Sequence, residues 1–463
     1  MVRPLNTHSW KAMLAVAVVS AGLLWHMLAC TESPMAFSPA GDLAFVTQEP
    51  YSMDNVELAG PTCYRLMLLP KDGKMQVLDQ SVDWLMTAPA FSPDGKSVCY
   101  LRVRLLEPND AVCVRELLDS RNLLLKQLAE NAESAHWTGH TATTQPTTRP
   151  DAPFPAELGV PVHTDMTGGP MAPAELVVRD VKTGAIAKTV KFLVPGLAYS
   201  ERHSEELGNM TKMYLLTKPQ YADPNTVFLA CDGVIYRASL AETTCAPFLA
   251  LGSVLAVSPD GKTLAALSAE AVSIVNLERQ TILIKGVETK LSLSGLSWTD
   301  NQTLALLQTP RDGNDGSVTM QLIKTDGSLV RQVEIPLKDS KHDNTETGEL
   351  AIAPDGKHMC ISYGSAVLFL DGTGAIISRL QAEKADHLVQ PTFTPDSKQI
   401  AMKKVFDAKA VAEGGVTRAT GIVFYSADGK AGATFPIEAI KPGTTRPAAI
   451  PERQPASAPA TQP

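Results

Sequence analysis

Apolar and polar residues fall in short runs along most of this chain, and turn-forming clusters separate the runs. Thr263 to Ala266 and Ser97 to Leu101 have the length and β-branched or aromatic content of strands, and each follows a shorter apolar stretch. Between each pair stands the same bend. It reads Ser-Pro39-Ala-Gly41 in its first copy and Ser-Pro93-Asp94-Gly95 in its second. It returns as Pro259-Asp260-Gly261, Pro354-Asp355-Gly356 and Pro395-Asp396-Ser397, with weaker copies at Asp223-Pro224-Asn225 and Thr299-Asp300-Asn301. Proline presets φ for the first central position of a turn, aspartate takes the second, and glycine supplies the positive φ that closes it. Each copy therefore predicts a β-hairpin.

A second hairpin follows most copies. Arg65 to Leu69 turns at Pro70-Lys71-Asp72-Gly73, Leu176 to Val181 at Lys182-Thr183-Gly184, Met320 to Lys324 at Thr325-Asp326-Gly327, and Ile422 to Tyr425 at Ser426-Ala427-Asp428-Gly429. The unit is thus four strands and two turns. Its spacing is 40 residues from Pro259 to Thr299 and 41 from Pro354 to Pro395. Four-stranded units at that spacing are propeller blades. The expectation is an all-β fold, a seven-bladed β-propeller over residues 34–438, with blades starting near 34, 88, 219, 254, 294, 349 and 390 and with six or eight blades as the alternatives.

The run Phe91-Ser92-Pro93-Asp94-Gly95-Lys96 resembles the TolB-type, WD40-like propeller repeat, which also occurs in relatives of prolyl oligopeptidase. The resemblance implies the fold and is nearly silent on function, because the repeat marks a turn.

Two departures from the repeat bear on function. Within the second unit, residues 106–173 are inserted between strands. Val114, Leu117, Leu118, Leu125 and Leu128 recur there at helical spacing and predict a helix over about 110–135; a Thr/Pro-rich loop follows. Other long connections between second and third strands are Gln48 to Thr62, Thr309 to Ser317 and Asp407 to Ala419. In a propeller these lie on the face opposite the Pro-Asp-Gly turns. Blades seven, one and two are neighbours in a closed ring, so the loops Gln48 to Thr62, Glu107 to Pro173 and Asp407 to Ala419 form the candidate binding wall.

The ends differ in composition. Arg3 and Lys11 precede an apolar run from Ala12 to Ala29, the pattern of an export signal or membrane anchor over residues 1–29. It ends Met27-Leu28-Ala29-Cys30, which resembles a lipoprotein lipobox and implies lipidation at Cys30, although Met27 and Leu28 depart from the usual residues. Residues 441–463 are rich in Pro, Ala, Thr and Gln and predict a disordered tail.

The net charge of −8 argues against nucleic acid as a partner. Seven cysteines without CxxC spacing point away from zinc; Cys99 and Cys360 read as small buried hydrophobes, and Cys231 with Cys245 as a candidate disulfide. No Gly-x-Ser-x-Gly elbow or phosphate-binding loop occurs. His136 and His140 are spaced for a helical metal pair, but Thr138-Gly139 between them reads as a helix end; Asp312 to Gly316 lacks the length of a calcium loop. No catalytic residue, metal site or cofactor is expected. The reading is an exported, membrane-anchored binding or scaffold propeller that engages an envelope protein or a glycan. The alternative is a propeller enzyme, a polysaccharide lyase or hydrolase, with its site at the central channel.

Overall fold

The computed structural model describes residues 35–438 apart from 51–61, 72, 82–83, 105–170, 196–217, 232–233, 250–253, 268–270, 280, 289–291, 310–316, 337–348, 364–365, 382–385 and 407–417. They form seven antiparallel sheets. Blade 1 is β1 (Ala36–Phe37), β2 (Leu43–Pro50), β3 (Thr62–Leu69) and β4 (Gln76–Ser81). Blade 2 has a split first strand, β5 (Trp84–Met86) and β6 (Ala90–Phe91), both pairing with β7 (Ser97–Arg104), then β8 (Met171–Asp180) and β9 (Ile186–Pro195). Blade 3 is β10 (Gln220–Asp223), β11 (Thr226–Cys231), β12 (Val234–Ser239) and β13 (Thr244–Leu249). Blade 4 is β14 (Val254–Val257), β15 (Thr263–Leu267), β16 (Ala271–Asn276) and β17 (Thr281–Glu288). Blade 5 is β18 (Ser292–Trp298), β19 (Thr303–Thr309), β20 (Ser317–Lys324) and β21 (Leu329–Pro336). Blade 6 is β22 (Glu349–Ile352), β23 (His358–Tyr363), β24 (Ala366–Asp371) and β25 (Ile376–Gln381). Blade 7 is β26 (Asp386–Phe393), β27 (Gln399–Phe406), β28 (Arg418–Ser426) and β29 (Ala431–Pro436). The protein is an all-β, seven-bladed β-propeller, as the repeat predicts.

The first strands of successive blades lie against one another around the axis, and the last strands, such as β21 and β29, are mostly exposed. Period-2 alternation then does double duty. Along β7, Val98 and Tyr100 pack toward blade 1, whereas Cys99, Leu101 and Val103 pack toward blade 3. Both faces of a blade are buried, so its middle strands are near-continuously apolar. Seven apolar clusters result, one at each junction between neighbouring blades. The cluster of Met35, Leu43, Phe45, Met67, Ala401 and Ile422 joins blade 1 to blade 7 and closes the ring without a shared strand.

The repeated bend has a fuller chemistry than proline, aspartate and glycine. In the second copy the Ser92 hydroxyl donates to Asp94 Oδ1 at 2.7 Å and accepts the Ser97 N–H at 3.0 Å, and Asp94 Oδ1 accepts the Lys96 N–H at 3.1 Å. The copies at Ser258-Asp260 and Thr394-Asp396 repeat this pattern. Ala40 removes the acid from the first copy, and Asp42 replaces it by accepting the Ser38 hydroxyl at 3.1 Å. The positive φ falls at Gly41, Gly95, Gly261 and Gly356, and at Ser397 (61°) in the last copy. The bends line up on one rim, where Asp260 N bonds Asn301 Oδ1 at 2.9 Å and Asp355 N bonds Ser397 Oγ at 3.0 Å between adjacent blades.

Three sequence expectations need correction. Blades 2 and 7 begin at Trp84 and Asp386 rather than near 88 and 390, because each first strand is interrupted, at Thr87 and by the register shift between Val389 and Thr392; the Thr87 N–H bonds Leu101 O, and its hydroxyl accepts the Leu101 N–H. The third strand of blade 2 resumes at Met171, since the pairing with β7 and β9 carries the chain past Pro173. Cys245 is a free thiol. Cys231 ends β11 opposite Val234 while Cys245 sits near the start of β13 opposite Ala238, at the other end of the sheet, so the two form no bridge. Cys99 and Cys360 are buried and each faces an inner-strand alanine, Ala90 and Ala351, as small hydrophobes do.

Candidate functional site

The strand ends fix where the long connections leave the ring. The β2–β3 ladder runs out to Pro50 opposite Thr62, β7 and β8 end at Arg104 and Met171, and the β27–β28 ladder ends at Phe406 opposite Arg418. All three exits lie at the end opposite the Ser-Pro-Asp-Gly rim, in the consecutive blades 7, 1 and 2. Of the candidate loops, residues 48–50, 62, 171–173 and 418–419 belong to strands; the interiors lie outside the described residues. So do the leader 1–29 with Cys30, the expected helix 110–135, His136, His140 and the tail 441–463.

Between blades 1 and 2 the described residues form a rigid polar cluster that runs from mid-blade to the β8–β9 turn on the Ser-Pro-Asp-Gly side. Asp79 on β4, 2% exposed, receives the Tyr100 hydroxyl and lies 3.1 Å from Arg179 Nη2 and 3.6 Å from Arg102 Nη1. Arg179 also donates to Tyr100 Oη at 3.1 Å and to Gly184 O at 2.9 Å. Arg102 grips Glu175 through Nε at 2.7 Å and Nη2 at 2.5 Å, and its guanidinium lies 5.0 Å from the ring centroid of Trp84. Burial, reinforced by the charge of Asp79, pushes the Tyr100 phenol far above its ordinary range. The cluster is a clasp between blades 1 and 2, with every charge paired.

Two more polar ties cross the seam between blades 7 and 1. Lys403 Nζ donates to Val46 O at 2.9 Å, and Arg65 Nη2 donates to Glu438 O at 2.9 Å.

At the channel, Lys218 precedes the inner strand of blade 3 and reaches across to Met35 O in blade 1 at 3.1 Å, passing the broken inner strand of blade 2. It keeps part of its surface accessible, yet protein crowds out most of its water, and this lowers its ammonium to about 8. On a different stretch of the channel wall, the Gln390 N–H in β26 donates to the Glu349 carboxylate at the start of β22. Sequence reading missed both groups, since Lys218 lies in a weak copy of the repeat and Gln390 departs from it.

Burial raises the thiols of Cys63 to about 11 and Cys99 to about 12, which keeps them protonated at neutral pH. Among the described residues, no group of three His, Cys, Asp or Glu side chains could hold a metal ion. Among the described residues, no helix is long and apolar enough to cross a membrane.

No protein-family model matches the chain, and none of the curated proteins does. Among solved structures it is similar to a chain of the mitotic checkpoint complex, at 10% identity and a TM-score of 0.47 over 82% of this chain and 84% of that one. It is similar to hydrazine synthase of Kuenenia stuttgartiensis, at 14% identity and 0.47 over 81% and 96%. It is also similar to the C-terminal WD40 domain of Sif2, at 12% identity and 0.39 over 80% and 93%.

Proposed function

We propose that this propeller is a binding scaffold of the cell envelope that engages a protein or glycan partner through the face opposite its Ser-Pro-Asp-Gly rim. The observation that carries the reading is that the strand pairs flanking the long connections of blades 7, 1 and 2 end at that face, in three consecutive blades. Variable loops on a stiff frame are the usual seat of recognition. The Asp79–Arg179–Tyr100 clasp and the Lys403–Val46 tie stiffen the frame at the two junctions the loops straddle. The test is site-specific photo-crosslinking in cells that make the protein. Crosslinks should gather at positions in 51–61, 105–170 and 407–417 and be absent from the opposite rim, for example at Lys96 and Lys357. Crosslinks confined to the rim would overturn the reading.

Export and tethering at Cys30 belong to the same proposal and rest on Arg3 and Lys11 before the apolar run Ala12 to Ala29 and on the lipobox-like Ala29-Cys30. From Cys30 to Pro34 the chain spans at most about 14 Å. A lipid on Cys30 would hold the loop-rich face near the bilayer, because β1 enters the ring from that face. Labelling with a radioactive fatty acid, with Cys30→Ala as control, checks this. Equal labelling of the two proteins would remove the tether.

A further inference from the structure

Three features meet at Gln390. The first is its backbone. Among the described residues, three that are not glycine have positive φ; Thr243 and Ser397 sit in turns, whereas Gln390 (φ 58°) sits inside the inner strand β26. The following residue is Pro391, and a residue before proline favours extended backbone. The strand bulges there, with its register to β27 shifting between Val389 and Thr392. The second feature is its side chain. Gln390 is 3% exposed, and neither Oε1 nor Nε2 has a hydrogen-bond partner. The third is its neighbour, the Glu349 carboxylate, which accepts the Gln390 N–H from the adjacent blade. Strained backbone and an orphaned buried amide are each unfavourable, and a structure keeps them together where they serve a site.

The donor and acceptor inventory selects the ligand. A carboxamide offers an acceptor and a donor side by side, and the carboxylate beside it offers only acceptors. A cation supplies donors alone and leaves Nε2 orphaned. An anion supplies acceptors alone and meets the charge of Glu349. An extended peptide turns the N–H and C=O of one residue to the same side and can pair with the carboxamide at both atoms, but the next N–H it offers on that side lies two residues, about 7 Å, further along. Neighbouring hydroxyls can each donate and accept, and so satisfy the amide and the carboxylate together. We infer that the channel wall between blades 6 and 7 carries a carbohydrate subsite, in which the Gln390 carboxamide and the Glu349 carboxylate bind vicinal hydroxyls as the bulge at Gln390-Pro391 relaxes. This rests on the binding reading above and commits the channel, though not the loops, to a glycan.

Thermal unfolding of the full chain with cellobiose, maltose or diacetylchitobiose tests it, with 9-methyladenine, spermidine and citrate as controls. 9-Methyladenine offers a paired donor and acceptor without any hydroxyl, and the other two offer one sign of charge each. At least one disaccharide should raise Tm for the wild type and leave Gln390→Gly unmoved. The ligand-free Gln390→Gly protein should itself melt about 1–3 °C higher, because the variant removes the strain and the orphan together. The Gln390 side-chain NH2 resonances should shift with the same sugar. Absence of a shift with all three sugars, an equal shift in Gln390→Gly, a response to 9-methyladenine alone, or a less stable Gln390→Gly would overturn the subsite. Crosslinking at the loops reports separately on the scaffold reading, so the two can fail independently.

Discussion

Lys403 and Val46 meet across the seam where the ring closes: the lysine, 1% exposed, donates from Nζ to the Val46 carbonyl at 2.9 Å, although 357 positions separate them in sequence. No strand is shared between the described chain ends, so this tie, the Arg65–Glu438 hydrogen bond and the apolar cluster around Phe45 and Ile422 carry the closure. Lys403→Met keeps the apolar stem and orphans the carbonyl. It should cost about 1–3 kcal/mol in urea unfolding. Lys403→Ala adds a cavity and should cost about 3–5 kcal/mol. Hydrogen exchange should speed up first in β2 and β27, the two strands it joins. Uniform acceleration around the ring would show that the seam is no weaker than the other junctions.

The clasp between blades 1 and 2 predicts strong non-additivity. Asp79→Ala leaves the buried Arg179 guanidinium without its carboxylate and should cost about 3–5 kcal/mol. Tyr100→Phe removes one hydroxyl and should cost about 1–2 kcal/mol. Because both touch Asp79 Oδ2, the double variant should be less destabilised than the sum by more than about 0.5 kcal/mol. Additive costs would mean the hydroxyl and the ion pair act independently.

The stacked bends can be separated by single glycines. A Cβ on Gly261 would stand 1.9 Å from Ala222 O on the neighbouring blade, a backbone atom that cannot yield cheaply, at φ +72°. On Gly356 the nearest atom would be Thr299 O at 3.9 Å, so only the left-handed backbone opposes alanine. Gly356→Ala should cost about 1 kcal/mol, and Gly261→Ala distinctly more, about 3 kcal/mol or above. Equal melting temperatures for the two variants would show that the blades do not press together at that rim.

The repeat was legible because its chemistry is local. Ser92, Asp94, Gly95 and Lys96 complete one turn within five residues, so one copy suffices to read the bend and seven copies to read the ring. The buried clasp was illegible for the opposite reason: Asp79, Tyr100 and Arg179 are spread over a hundred positions, and each alone resembles a solvated polar residue. Lys403 left a trace. In β27 the adjacent pair Lys403-Lys404 points to opposite faces, and both faces of a middle strand look into a blade junction, so the pair marks a polar demand there. Gln390 left none, since its interest lies in a backbone angle and an unmet amide. The loops could be placed on a face because hairpin parity fixes which end of a blade each connection leaves from.

Acid should loosen the rim before the core. Hydrogen bonds from Ser92, Thr394, Thr373, Ser328 and Ser426 hold the carboxyls of Asp94, Asp396, Asp371, Asp326 and Asp428 below the ordinary value of 3.8, and Asp428 falls to about 2. A carboxyl with a depressed folded pKa stabilises fully above its unfolded pKa, and that contribution fades as pH falls through the folded value. Tm should therefore hold steady down to about pH 4 and decline between there and about pH 2. Asp428→Asn should flatten the decline without changing its onset. A flat profile in the wild type over the same window would mean these turns contribute nothing measurable, as exposed pairs often do.

Lys218 should add a second rise of stability with pH, at the alkaline end. Its ammonium titrates near 8 in the folded protein and at its ordinary 10.5 when unfolded, so between these values the unfolded chain holds more protons. Folding then gains stability as pH rises from about 8 toward 10.5. Lys218→Met should remove that rise and leave the acid limb untouched. The same amine, partly accessible and mostly deprotonated above its midpoint, should be acetylated by a small anhydride at pH 8 ahead of Lys262, whose partner Glu278 holds its proton. Peptide mass spectrometry at low conversion reads the order directly. Acetylation of Lys262 before Lys218 would show that the channel shields the amine, and that the fall in its basicity comes from enclosure too complete for a reagent to enter.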